Sequence, residues 1–155
     1  LETVARAAWK QPAARVHRIV NGIDVARFAQ PPRFDAIPGF TRREGEVVIG
    51  TVGRLAAVKD LPMLVRAAGG LAGRIRLVIV GEGREREAIK EAAFAMGLAD
   101  RLVMPGFLPE PHRYVGLFDI LALSSRTEQC PTAVIEGMAA GLAVASTPVG
   151  DVAEM

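Results

Sequence analysis

The sequence predicts an α/β fold, a Rossmann-like parallel sheet with helices on both faces. Three observations lead there. Two short apolar, β-branched runs, EVVIGTV at 46–52 and IRLVIVG at 75–81, have the composition of strands buried on both faces. Each is followed by a segment whose apolar residues recur at helical spacing. Further strand-like runs continue the alternation to the end of the chain, the pattern of a parallel sheet wound with helices.

The elements justify themselves in order. After the strand at 46–52 and the loop GRLAAVKD, Asp60 stands where it can cap a helix with its apolar stripe at Leu61, Leu64, Val65, Ala68 and Leu71. The strand at 75–81 leads into a helix over 84–96, striped by Ile89, Ala92, Ala93 and Met96, with Gly97 as its stop. A short strand RLVM (101–104) precedes a loop holding Pro105, Gly106, Pro109 and Pro111, then a brief helical turn near 112–117. DILAL (119–123) predicts a strand, PTAVIEGMAAG (131–141) a helix closed by Gly141, and AVAS (143–146) a last strand. Residues 1–45 fit this scheme poorly: a helix over 1–10, a strand RVHRIV at 15–20, a tight turn NGID and a proline-punctuated connector. They are assigned to a linker and the remnant of a preceding unit, leaving 46–155 as the Rossmann-like domain.

The 155 residues suffice for one ordinary core. Half the chain is apolar, yet no apolar run reaches the roughly 18 residues of a membrane span. A formal net charge of +2 is too mild to indicate nucleic acid. With Cys130 the only cysteine, an internal disulfide is excluded, no persuasive metal-ligand cluster exists, and a reducing cytoplasm fits best. The chain starts on Leu1 without a signal-peptide pattern, and Asp151 and Glu154 resemble the opening of a helix just before the sequence stops. Both ends read as truncations of a longer protein.

In open parallel sheets, ligands bind beyond the carboxyl ends of the strands. Three loops there carry suggestive residues. In VGRLAAVKD, Gly53 would let a ligand approach the backbone, and Arg54 and Lys59 would suit a diphosphate; the bland reading is two solvated cations. In VGEGREREAI, Gly81 and Gly83 only partly match a dinucleotide fingerprint, with Arg86 at the third glycine position. In TEQCPTAVIE, Pro131 suits a first helical turn, leaving the amides of Thr132, Ala133 and Val134 to face an anion. Glu128 and Glu136 cannot neutralise phosphate, but they can accept hydrogen bonds from polyol hydroxyls on either side of it. A nucleotide sugar has that shape; an N-terminal acid with an exposed partner is the plainer alternative.

VIGTVGRLAAVKDLPMLVRAA, LVIVGEGREREAI, RLVMPGFLP and YVGLFDILALSSRTEQCPTAVIEGMAAGLAVASTPVGDVAE, in that order, resemble the C-terminal, nucleotide-binding half of retaining glycosyltransferases with the GT-B fold, the family-4 or group 1 type. The resemblance covers roughly residues 16 to 155. Glu128 and Glu136 match the acids of that family's Glu-x7-Glu motif, and VNGIDVARF is similar to the segment leading from its N-terminal domain.

The resemblance implies a nucleoside-diphosphate sugar as donor and co-substrate, and no metal or further cofactor is demanded, because Arg54, Lys59 and the helix terminus can do the charge work. It makes Arg54 and Lys59 the cations that hold the diphosphate, Glu128 the acid meeting the transferred sugar, and Glu136 the acid meeting the ribose. Arg54, Lys59 and Glu128 are thereby the catalytic candidates. Backbone around Pro131 to Val134 would contact phosphate, and Phe107 and Leu108 would edge the nucleobase. The acceptor, a glycan, lipid-linked or other hydroxyl compound, would be held by the N-terminal domain, with the longer protein in the cytoplasm or peripherally at the inner face of a membrane. Departures exist: Gln129, Cys130 and Pro131 stand where many relatives have glycine-aromatic-glycine, and Gly150-Asp151 where paired glycines are usual. Cys130, His17 and His112 are expected to pack or lie at the surface. A non-catalytic sugar-nucleotide module, a GT-B epimerase or phosphorylase, and a nicotinamide-dependent oxidoreductase are the competing classes.

Overall fold

The computed structural model describes residues 2–17, 19 and 21–155. Five strands form one parallel sheet: β1 (Val47–Val52), β2 (Ile75–Val80), β3 (Leu102–Gly106), β4 (Ile120–Leu123) and β5 (Ala143–Ser146). Their spatial order is β3-β2-β1-β4-β5. The chain therefore builds outward from β1 in one direction, then crosses back to lay β4 on the other side of it. Between β1 and β4 the direction of winding reverses, which opens a crevice at their carboxyl ends.

The central strands β1, β2 and β4 are buried on both faces, while β3 and β5 at the edges are partly exposed, and alternate side chains sort into two cores. Ile75, Leu77 and Ile79 of β2, with Ile49 of β1, pack beneath α3 (Leu61–Gly69) and α4 (Arg86–Ala95). Val78 and Val80, with Val48 and Leu121, face a second layer containing Tyr114, Phe118 and Val134. Val134 belongs to α5 (Thr132–Ala139), while Tyr114 and Phe118 flank the 3-10 turn Val115–Leu117. The brief helical turn expected near 112–117 is thus two 3-10 turns, the first being Pro111–Arg113.

Upstream, α1 (Glu2–Ala7) buries nothing, and α2 (Val25–Phe28) packs against α5 and the turn at 111–113. Asp24 caps α2 by accepting from the Arg27 amide at 3.4 Å. Ile37 and Phe40, from the proline-punctuated segment, are buried in the second core beside Val48. The expected strand at 15–20 does not form where the chain is described. Arg15 ends a 3-10 turn, Val16, His17 and Ile19 carry no strand, and Arg18 and Val20 lie outside the described residues. β-branched composition alone does not make a strand without pairing across a sheet.

The end of the sheet opposite the crevice is polar and tightly paired. Arg76, in β2, donates to Glu46 at 2.9 Å with both side chains buried. Arg76 holds the Glu46 carboxyl below the usual carboxylate range despite that burial. Arg42 clasps both oxygens of Asp119 at 2.7 and 2.8 Å, and Asp119 also accepts from the Val48 amide. These pairs tie the connector before β1 to β2 and β4. Among the described residues, no helix is long and apolar enough to cross a membrane.

Candidate functional site

At the crevice the loops that follow all five strands are stitched together. The loop after β1 is held to the loop after β4 by Ser124 Oγ donating to the Lys59 carbonyl (2.8 Å) and by the Arg126 amide donating to the Val58 carbonyl (2.8 Å). Asp60 was expected to cap α3 with its side chain. It does occupy the N-cap position, but its carboxylate accepts from Arg126 Nε at 2.9 Å instead, and its backbone sits in the left-handed region with φ +44°. Asp tolerates that region better than most residues, and the cross-loop ion pair compensates the lost cap.

The loop after β2 explains its glycines differently from a dinucleotide fingerprint. A Cβ on Gly81 would collide with the Gly53 carbonyl, and one on Gly83 with the Leu55 carbonyl. The Leu55 amide donates to Glu82 O at 2.9 Å and the Glu85 amide to Leu55 O at 3.1 Å. Gly81 and Gly83 therefore let two loops touch backbone to backbone. On the outer side, the Gly81 amide donates to Gly106 O at 2.8 Å. Beyond β4, Thr147 Oγ1 donates to Ser125 O (2.7 Å) and the Asp151 amide to Gln129 O (2.8 Å). Gly150 lies so close to that same Gln129 carbonyl that a side chain would strike it.

This framework brings two of the sequence-derived candidates into contact. Lys59 Nζ donates to Glu128 Oε1 at 2.5 Å, and Ser125 Oγ donates to the same oxygen at 2.6 Å. Burial works against the Glu128 charge, but the hydrogen bonds from Lys59 and Ser125 outweigh it and hold the carboxyl below its usual range. Gly53, Arg54 and Lys59 line one small cleft with Thr51 and Ser124. Arg54 is exposed there, its guanidinium free to meet an incoming anion from solvent.

The start of α5 differs in detail from expectation. Pro131 is the N-cap, one position before the first helical residue, and is buried. The Val134 amide donates to the Pro131 carbonyl at 3.0 Å, because the helix begins with a tight turn, and the Val134 side chain fills the second core. Thr132 and Ala133 are left to present their amides at the open end. Glu136 stands about 6 Å further along the axis. It is half-buried, and burial pushes its carboxyl up. Tyr114 lies within reach of that charge; burial first, then Glu136, raises its phenol.

Phe107 is 72% exposed on the loop after β3, whereas Leu108 packs its side chain against the second core and accepts from Tyr114 Oη at 3.3 Å. His112 packs edge-on against Phe28 and lies 3.3 Å from an Arg27 nitrogen. Cys130 is half-buried. With Glu128 and Asp151, it lines an open groove of about 800 Å³ that Trp9, His17 and Asn21 also line. Sequence reasoning passed over Ser125, Arg126 and Thr147. A signal existed for the first: Ser124 and Ser125 follow directly on an apolar strand, and both are buried.

Known proteins resemble this chain in sequence and in fold. The chain is 35% identical over 136 residues to a 2-deoxystreptamine N-acetyl-D-glucosaminyltransferase of Streptomyces fradiae, covering 82% of this chain and 32% of that protein. It is 33% identical to a D-inositol 3-phosphate glycosyltransferase of Mycobacteroides abscessus, covering 88% and 32% respectively. The chain thus spans about a third of the length of these relatives. Among solved structures, Anabaena HepE in complex with UDP superposes with a TM-score of 0.81 at 20% identity, over 98% of this chain and 44% of that one. A family model described as glycosyl transferases group 1 matches residues 33–155. That match, over more than half of its length, places the chain in the group 1 glycosyl transferases.

Proposed function

We propose that the chain is the donor-binding part of a retaining glycosyltransferase, and that a nucleoside-diphosphate sugar sits across the crevice between β1 and β4. The observation that carries this reading is the meeting of Lys59 and Glu128 beside the open end of α5. A cation, a helix terminus and a carboxylate are what a diphosphate joined to a polyol requires. That the HepE complexes contain UDP, UDP-glucose, or UDP with glucose supports it.

In this reading Arg54 and Lys59 hold the diphosphate, the amides of Thr132 and Ala133 complete its cradle, Glu128 receives hydroxyls of the transferred sugar, and Glu136 receives those of the ribose. Phe107 and Leu108 edge the base, with Leu108 acting through its backbone. As the bond from the anomeric carbon to the diphosphate oxygen breaks, the acceptor oxygen bonds to that carbon on the same face and its proton passes to the departing phosphate. Negative charge grows on the leaving diphosphate. One cation at 4 Å supplies on the order of 4 kcal/mol of gross attraction at an effective dielectric of about 20. Only the part that grows toward the transition state accelerates transfer. A preceding domain, outside residues 33–155, would hold the acceptor.

Calorimetric titration of the chain with UDP, GDP and their sugars tests the reading. Saturable binding of at least one such pair, weakened at least tenfold by Lys59→Ala, is expected. Failure of every nucleotide to bind contradicts it.

A further inference from the structure

The Glu128 carboxylate has two donors on one oxygen, and they differ in kind. Lys59 is a long, flexible cation whose charge the proposed diphosphate would compete for. Ser125 is fixed: it is 1% exposed, and its own carbonyl is held by Thr147 Oγ1 at 2.7 Å. Its hydroxyl reaches Glu128 Oε1 at 2.6 Å across a single turn of chain. When Lys59 turns to a diphosphate, Glu128 loses its cation and would swing toward solvent if nothing else restrained it.

We infer that Ser125 is a positioning residue, which keeps the Glu128 carboxylate aimed into the crevice while Lys59 exchanges that carboxylate for the donor's diphosphate. The inference rests on the donor-site reading given above. In the free chain Lys59 and Ser125 share Oε1. In the complex Ser125 alone keeps Oε1, and Oε2 faces the sugar hydroxyls. Ser125 then contributes to recognition of the sugar, not of the diphosphate. The ion pair in the free chain also neutralises a half-buried lysine until a stronger anion arrives.

The test compares affinities for a nucleoside diphosphate and for its sugar conjugate, using UDP with UDP-glucose and GDP with GDP-mannose, by calorimetry on the whole chain. The ratio of the two affinities isolates what the sugar adds. Ser125→Ala is expected to reduce that ratio about tenfold, the range set by losing a hydrogen bond to a charged group. In a Glu128→Gln background the same substitution is expected to change the ratio less than twofold. A merely structural serine would act equally in both backgrounds, and that result overturns the inference. Should Ser125→Ala not yield folded protein, Ser125→Cys keeps the size and offers only a weak donor, so the same fall is expected. An unaltered ratio with nucleotide still bound overturns the role of Ser125 alone. Absence of all nucleotide binding by the unsubstituted chain overturns the donor-site reading, and this inference with it.

Discussion

Lys59 Nζ and Glu128 Oε1 meet at 2.5 Å across 69 residues of sequence, joining the loop that leaves β1 to the loop that leaves β4. The contact sits where the sheet reverses its winding, and it brings opposite charges into a crevice framed by backbone hydrogen bonds and by the side chains of Ser124, Arg126 and Thr147. A site so built can exchange the partner of its lysine without rebuilding its walls.

Removing the cations should separate binding from folding. Arg54 is exposed, so Arg54→Ala is expected to change stability by less than about 0.5 kcal/mol. Loss of a charged hydrogen bond to diphosphate costs about 1.5–3 kcal/mol, so the dissociation constant for UDP or GDP should rise at least tenfold in Arg54→Ala and in Lys59→Ala. Denaturation curves and calorimetry on the same preparations measure the two effects. Undiminished affinity in both variants would remove the cations from the site.

The two acids should titrate apart. Glu136 is raised by burial, so its folded-state pKa lies above the unfolded value. Its charge therefore lowers stability at neutral pH, and that cost disappears as pH falls through the raised pKa. Glu128 is lowered, so its contribution is present above the unfolded pKa and is lost only as pH falls through the folded one. Side-chain carboxyl NMR should show Glu136 protonating at higher pH than exposed glutamates, and Glu128 at lower pH. Glu136→Gln should raise the thermal midpoint at pH 7 while weakening nucleotide binding. Coincident midpoints for the two acids would contradict this electrostatic picture.

The sheet was legible because buried parallel strands leave dense apolar runs, and all five fall within a residue or two of their expected bounds. The site was legible in part. Lys59, Glu128 and the start of α5 stand in loops whose position follows from the alternation of strands and helices. What could not be read was partnership. Asp60 looks like a cap in sequence but answers Arg126, a residue 66 positions away. Gly81 and Gly83 only partly match a dinucleotide fingerprint, and the contact they serve, with the backbone of Gly53 and Leu55, left no mark in the local sequence. Both are long-range facts that local propensity does not encode. Ile37 and Phe40 likewise gave no periodic signal, because they reach the core from an irregular segment.

That contact yields a prediction about folding. Gly81→Ala adds a methyl where the Gly53 carbonyl already stands, at a backbone with φ +141°. It should cost about 2–4 kcal/mol, well beyond an ordinary surface change. Urea denaturation reads the loss as a lower midpoint. A midpoint within error of the unsubstituted chain would mean that the two loops do not touch.

The polar end of the sheet provides a control. Glu46→Ala would leave the Arg76 charge buried without its partner, and Arg76 Nε already has no hydrogen-bond acceptor among the described residues. About 3–5 kcal/mol of destabilisation is expected. Because the pair lies at the opposite end of the strands, nucleotide affinity of the folded fraction should be unaltered. A matching loss of affinity would contradict the separation of the two ends.

The central claim is that a nucleoside diphosphate lies between the Gly53–Lys59 loop and the beginning of α5. An amide NMR titration of the chain with UDP, and with GDP, tests it most directly. The largest shifts are expected at Gly53, Arg54, Lys59, Thr132 and Ala133, with Ser125 and Glu128 responding as Lys59 changes partner. Shifts confined to the Glu46–Arg76 end of the sheet, or none at saturating nucleotide, would contradict it.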